Sequence, residues 1–336
     1  METKGYTNWL LTILVMMTVT ALTASGCQPR GMPTPNHAAH VEHEHEMPEL
    51  SAVTLGEGER LQIVATTSIV ADVVANVGGD LIDLTALMPI GADPHSFEPT
   101  PQDVAALNDA HGVFINGAGL EKSLEPLLES AEAADKVIPM SHGIELLEFE
   151  GEHEGEGEHH HGADPHTWTD PNLVMVWTYT IEQALSALDP ANAGRYEANA
   201  KAYETELKKL DTWVREQVSL IPEAERRIIT DHNIFGYFAE RYGFTQVGTI
   251  APGYSTLAEP SAKELADLES TIRELGVRAV FVGKTVNPSL AETVAQDTGT
   301  QLVFLYTGSL SKEDGEAATY LDYMRYNVNA IVSALK

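Results

Sequence analysis

Leu61-Gln62-Ile63-Val64-Ala65-Thr66-Thr67-Ser68-Ile69-Val70-Ala71-Asp72-Val73-Val74-Ala75-Asn76-Val77-Gly78-Gly79 carries the reading on which the fold rests. Its first five residues form an apolar run suited to a buried strand. Residues 68–77 follow as a helix, with Ser68 placed to cap its start and Gly78-Gly79 to end it. The pattern then repeats. Residues 81–87 read as a second strand, and Thr100-Pro101-Gln102-Asp103 supplies a cap, a proline at the first helical position and an acid in the first turn. Residues 112–116 and 137–140 read as further strands around a helix beginning near Leu120. Strand–helix alternation of this kind predicts an α/β layer structure with parallel strands.

The rhythm breaks over residues 141–163, where the tract Gly151-Glu152-His153-Glu154-Gly155-Glu156-Gly157-Glu158-His159-His160-His161 has nothing apolar to bury. A mobile loop is expected there. Residues 172–188 read as a helix, and residues 191–220 as a second one that keeps Tyr196, Ala200, Tyr203, Leu207, Leu210 and Val214 at helical spacing. After Pro222 the alternation resumes, with strands over residues 227–230, 245–250, 279–282 and 302–306 and helices over 234–242, 261–275, 288–299 and 317–335. The expected architecture is two similar α/β lobes with parallel sheets and flanking helices, residues 60–188 and 222–336, joined by a long linking helix over 189–221. The cleft between them, at the strand carboxyl ends, is the expected ligand site.

A length of 336 residues suits about two domains. With 50 acidic against 20 basic side chains the formal charge is −30, and phosphate backbones repel such a chain, so nucleic acid is excluded as a partner. A single cysteine, Cys27, rules out a disulfide framework or a Cys-built metal cluster within one chain. The 16 residues from Trp9 to Ala24 are uncharged. They fall short of the roughly 20 that span a membrane, yet suffice for the apolar part of a secretion signal. Thr23-Ala24-Ser25-Gly26 then sets small residues directly before Cys27. This resembles a bacterial lipoprotein cleavage box, with Ala24 where leucine is preferred, and implies a signal peptide over residues 1–26 and a lipid on Cys27. An uncleaved anchor helix is the plainer alternative; either way the remaining chain works outside the cytoplasm. Residues 27–59, rich in Pro, His, Glu and Gly, read as a flexible tether.

Thirteen histidines in so acidic a chain call for an explanation. Gly91-Ala92-Asp93-Pro94-His95 recurs 71 positions later as Gly162-Ala163-Asp164-Pro165-His166. In both copies Asp-Pro makes a tight turn that leaves a histidine at its end. His232, in Ile228-Ile229-Thr230-Asp231-His232, likewise follows a predicted strand and precedes a helix. Three imidazoles at comparable places can converge on one cation, and neutral imidazole suits zinc. Asp93, Asp164 and Asp231 stand beside these histidines, either to orient an imidazole through its other nitrogen or simply to form turns.

Pro94-His95-Ser96-Phe97-Glu98-Pro99-Thr100-Pro101-Gln102-Asp103 and Asp164-Pro165-His166-Thr167-Trp168-Thr169-Asp170-Pro171 carry a specific resemblance. His232-Asn233-Ile234-Phe235-Gly236-Tyr237-Phe238, Glu259-Pro260-Ser261-Ala262 and Tyr320-Leu321-Asp322-Tyr323-Met324-Arg325-Tyr326-Asn327 extend it. From about residue 60 to the end, in order, the chain resembles the zinc/manganese ABC-transporter substrate-binding proteins, the metal-binding lipoprotein family. The resemblance implies two lobes with metal held between them, His95 and His166 as ligands from the first and His232 from the second. It further implies Zn²⁺ as the transported ligand, delivery to the transporter's membrane permease subunits, and residence on the outer face of the cytoplasmic membrane. Manganese carriers of this family tend to hold a carboxylate where this chain has His232. The family also supplies an aspartate after the last strand, where Leu305-Tyr306-Thr307-Gly308-Ser309-Leu310 offers Gly308. The fourth ligand is then water, Glu259 or a loop histidine.

Three alternatives stay open: a manganese-binding member of the family, an adhesin-like surface protein, and a zinc metallohydrolase, although the chain lacks an HExxH base. His37, His40, His43 and His45, with His153, His159, His160 and His161, lie in acidic tracts and read as weak metal-capture groups or as merely solvated sequence.

Overall fold

In the computed structural model, residues 47–130, 134–148 and 162–336 are described. Two four-stranded sheets organise them. In the first, β1 (Leu61–Ala65) lies between β2 (Ile82–Ala86) and β3 (Gly112–Ile115), with β4 (Val137–Pro139) beyond β3. In the second, β5 (Arg227–Thr230) lies between β6 (Thr245–Thr249) and β7 (Ala279–Gly283), with β8 (Gln301–Leu305) beyond β7. All pairings are parallel. Both sheets share one strand order, so in each the chain steps to one side of its first strand and then crosses to the other. That reversal opens a crevice at the carboxyl ends of the strands.

The helices are α1 (Ser68–Gly78), α2 (Pro101–Asp109), α3 (Glu125–Leu128), α4 (Pro171–Leu188), α5 (Ala193–Val218), α6 (Gly236–Tyr242), α7 (Ala262–Leu275), α8 (Ser289–Thr298) and α9 (Tyr320–Leu335). Capping boxes start α2 (Thr100 with Asp103) and α7 (Ser261 with Glu264). α5 buries Tyr196, Ala200, Tyr203, Leu207, Leu210, Val214 and Val218 on one stripe, and its 26 residues span about 39 Å. That stripe joins α1, α4 and α9 with the inner faces of both sheets in one core. Val64, Leu107, Val113 and Val137 form a smaller cluster on the other face of the first sheet, and Ile229, Leu268, Val280 and Val294 do the same for the second. Sheets covered on both faces explain why their strands read as continuous apolar runs rather than alternating ones.

Three expectations need correction. Thr67, not Ser68, caps α1, its hydroxyl accepting from Val70 N at 3.1 Å. Ser68 instead uses its hydroxyl to accept from Leu310 N at 3.0 Å, in the other lobe. No helix begins at Leu120: Gly117, Ala118 and Gly119 have φ of 79°, 51° and 71°, and helical geometry waits until α3. The stretch read as tether is docked from Met47 onward, because Met47, Leu50, Val53 and Leu55 pack on the core and Val53 N donates to Leu188 O at 2.8 Å. The signal peptide, Cys27, the tether before residue 47, and the tract holding His153, His159, His160 and His161 lie outside the described residues. Among those described, no helix is long and apolar enough to cross a membrane.

Asp72 on α1 reaches the start of α9, where Oδ2 accepts from Tyr320 N at 3.0 Å, and Tyr203 OH lies 3.5 Å away. Burial pushes its carboxyl from 3.8 up to about 6, against the two hydrogen bonds. Between those values the unfolded chain has released a proton that the folded chain keeps, so stability falls as pH rises through this window and stays lower above it. Asp72→Asn removes that loss. The variant should match the parent at pH 4 and exceed it at pH 7 by about 1–2 kcal/mol, part of the shift being discounted for solvent screening. Thermal melts at the two pH values check this; an equal difference at both would show that Asp72 ionises in the fold without cost.

Candidate metal centre

Three strand–helix junctions deliver three imidazoles to one point. His95 ends the turn after β2, His166 ends the same turn between β4 and α4, and His232 lies two residues beyond β5. His166 Nε2 stands 3.3 Å from His95 Nε2 and 3.3 Å from His232 Nε2, and the ligand atoms of the three all lie within 4.8 Å of one another. Nitrogens bound to a tetrahedral zinc at about 2.0–2.1 Å lie about 3.3–3.4 Å apart. The two spacings to His166 Nε2 therefore match those around such an ion. Among the described residues this is the one group of three or more His, Cys, Asp or Glu side chains able to hold a metal.

Carboxylates decide which ring nitrogen faces inward. Asp164 Oδ1 is 2.7 Å from His166 Nδ1, and Asp231 Oδ1 is 2.5 Å from His232 Nδ1. An Nδ1–H donated to a carboxylate leaves the Nε2 lone pair free as a ligand. Two such lone pairs 3.3 Å apart repel until a proton or a metal cation sits between them. Burial, and then the neighbouring imidazoles, lower His95 to about 2; the same causes hold His166 well below 6.5. Burial also pushes Asp164 up to about 8, against the His166 N–H it accepts. For Asp231 burial pulls upward, but adjacent His232 and the N–H groups of His232 and Gly283 hold its carboxyl below the usual range.

Asp93 does not repeat the role of Asp164, although their turns are identical in sequence. Its carboxylate accepts from His95 N at 3.1 Å and from Thr256 Oγ1 at 2.6 Å, joining the two lobes instead of touching the ring. Glu259 is exposed and stands outside the cluster of candidate ligands.

Sequence reading missed the groups that hold the His166 turn. Tyr237 OH donates to Asp164 O at 2.7 Å and accepts from Leu147 N at 3.1 Å, and Glu148 and Ala163 pair in an isolated antiparallel bridge. Asn116 Nδ2 donates to Pro165 O at 2.9 Å, while buried Glu121 accepts from Asn116 N at 2.7 Å, Gly117 N at 3.1 Å and Thr66 Oγ1 at 2.6 Å. The glycines flanking Ala118 are the available signal, marking a tight turn that aims two N–H groups at one carboxylate. Gly236 has a packing reason: a Cβ there would lie 2.6 Å from Asp164 Oδ2.

Comparison with known proteins gives the site its context. A family described as ZnuA, zinc-uptake complex component A, periplasmic, matches residues 63–334. The manganese-binding lipoprotein MntA of Halalkalibacterium halodurans is 37% identical over 283 residues, covering 84% of this chain and 91% of that protein. The manganese ABC transporter substrate-binding lipoprotein PsaA of Streptococcus pneumoniae is 32% identical over 289 residues, covering 83% and 90%. Among solved structures, the periplasmic zinc-binding protein TroA of Treponema pallidum superposes with a TM-score of 0.74 at 26% identity, over 82% of this chain and 99% of that one. The Mn-bound periplasmic metal-binding protein of Candidatus Liberibacter asiaticus gives 0.72 at 27%, over 83% and 100%.

Two parallel-sheet lobes around a buried imidazole cluster, in this company, make the protein the substrate-binding component of a metal ABC transporter and not an enzyme. Within that class the chain belongs to the ZnuA family.

Proposed function

We propose that this chain binds one Zn²⁺ between its lobes through Nε2 of His95, His166 and His232, and hands it to the membrane permease subunits of its transporter. In this reading a lipid on Cys27 tethers the protein to the outer face of the cytoplasmic membrane. The tract holding His153, His159, His160 and His161 serves as a weak capture surface that raises the local cation concentration. The donor set carries the choice of metal. Imidazole nitrogen suits zinc, whereas manganese is better served by carboxylate oxygen, and among the described residues no carboxylate joins the three rings. The similar proteins are divided, with MntA and PsaA named for manganese and TroA for zinc.

Metal-free protein offered equal free zinc and manganese, then desalted, is the direct test. Metal analysis should return one zinc per chain, and X-ray absorption at the zinc edge should show three imidazole nitrogens at about 2.0–2.1 Å. Retention of manganese in place of zinc would overturn the assignment.

A further inference from the structure

The turn over residues 91–95 belongs to the first lobe but is gripped by the second. Gly91 N donates to Ser309 Oγ at 2.8 Å, and Asp93 Oδ2 accepts from Thr256 Oγ1 at 2.6 Å. Pro94 packs so closely on Gly308 that a Cβ there would sit 2.6 Å from Pro94 Cδ. His95 closes the turn, its N donating to Asp93 Oδ1 at 3.1 Å. One carboxylate thus holds the ligand's main chain with one oxygen and the opposite lobe with the other.

Thr256 is in turn tied to the third ligand. Its loop follows β6, where Ala251 N donates to Asp231 O at 2.7 Å and Asn233 N donates to Gly253 O at 2.9 Å. Asp231 and Asn233 are the residues on either side of His232. A continuous path therefore runs from His95 through Asp93 and Thr256 to His232, whose ring centroid lies 5.3 Å from that of His95.

The three ligands are not held alike. His166 and His232 are 0% and 2% exposed, with Nδ1 of each on a carboxylate. His95 is partly exposed, and Asp93 engages its main chain, so its place in the cluster follows the place of its turn. We propose that Thr256 is a positioning residue of the metal site: through Asp93 it sets His95 against His232, and rupture of the Asp93–Thr256 bond is the step at which His95 withdraws and the metal leaves. The proposal rests on the reading of His95, His166 and His232 as zinc ligands. A hydroxyl bound to a carboxylate makes one of the stronger hydrogen bonds, and one that must break before departure slows it by about 10–100-fold.

Release of zinc from loaded full-length protein into excess chromophoric chelator, followed by stopped flow, provides the test. Thr256→Val keeps the shape and removes the hydroxyl; it should release zinc about 10–100-fold faster than the parent, while its metal-free form melts with the parent. Thr256→Ser restores the donor and should restore the slow rate. Gly308→Ala, whose Cβ pushes Pro94 and its turn off the second lobe, should also quicken release. Release from zinc-loaded Thr256→Val within about twofold of the parent would overturn the proposal and leave the zinc reading intact, as would a serine variant as fast as the valine one. A faster valine variant with a lowered metal-free melt would assign the effect to general loosening and overturn it too. Parent protein that retains no zinc to release would overturn both.

Discussion

His166→Ala is expected to weaken zinc binding by about 1,000-fold or more, as read by competition with a chromophoric chelator. Zinc held by a full set of protein ligands is bound with about 10–16 kcal/mol, so losing one of three donors removes several kcal/mol. His166 is the vertex of the cluster, 3.3 Å from each of the other two nitrogens and completely buried. Without it, His95 and His232 face each other across a gap, and buried Asp164 loses its ring partner. His95→Ala and His232→Ala should follow closely. Asp164→Asn and Asp231→Asn leave the donors in place but loosen their orientation, which costs about 10–100-fold. A cooperative melt of the His166 variant separates loss of the site from loss of the fold. Binding within tenfold of the parent, in a folded variant, would sink the assignment.

That ordering shows where sequence stops being legible. The strands and most helices of both lobes were readable because buried parallel strands and capped helices leave local signatures, such as Leu61–Ala65 or the Thr100 and Ser261 capping boxes. The echo around His95 and His166 was readable for the same reason, since a tight Asp-Pro turn is written in five consecutive residues. What the turn's carboxylate does is not written there. Asp164 meets an imidazole while Asp93 meets Thr256, and the difference comes from the opposite lobe, far away in sequence. Glu121 was hidden likewise, because its three donors come from the ends of two strands and from a turn. The docking of residues 47–55 escaped notice because Met47, Leu50, Val53 and Leu55 are scattered among polar neighbours and gain meaning only against a finished core.

Zinc should also raise the thermal unfolding midpoint by about 8–16 °C when its free concentration stands near 1,000 times its dissociation constant. A ligand that binds only the folded state contributes about 4 kcal/mol at that excess, and each kcal/mol is worth about 2–4 °C in a protein of this size class. The gain is global rather than local because the three imidazoles come from both sheets, so unfolding either lobe destroys the site. The lobes are already joined without metal, through Ser68 with Ser309 and Leu310, Asp93 with Thr256, and Trp168 with Thr307 and Tyr323. The metal-free protein should therefore melt as a folded body at a lower temperature rather than begin disordered. Manganese at the same free concentration should move the midpoint by less than about 3 °C, because imidazole donors alone serve it poorly. A chelator should return the zinc-loaded protein to the metal-free midpoint, and His166→Ala should show no zinc-dependent rise. Equal shifts with manganese and zinc would mean that the three-imidazole donor set does not select the cargo.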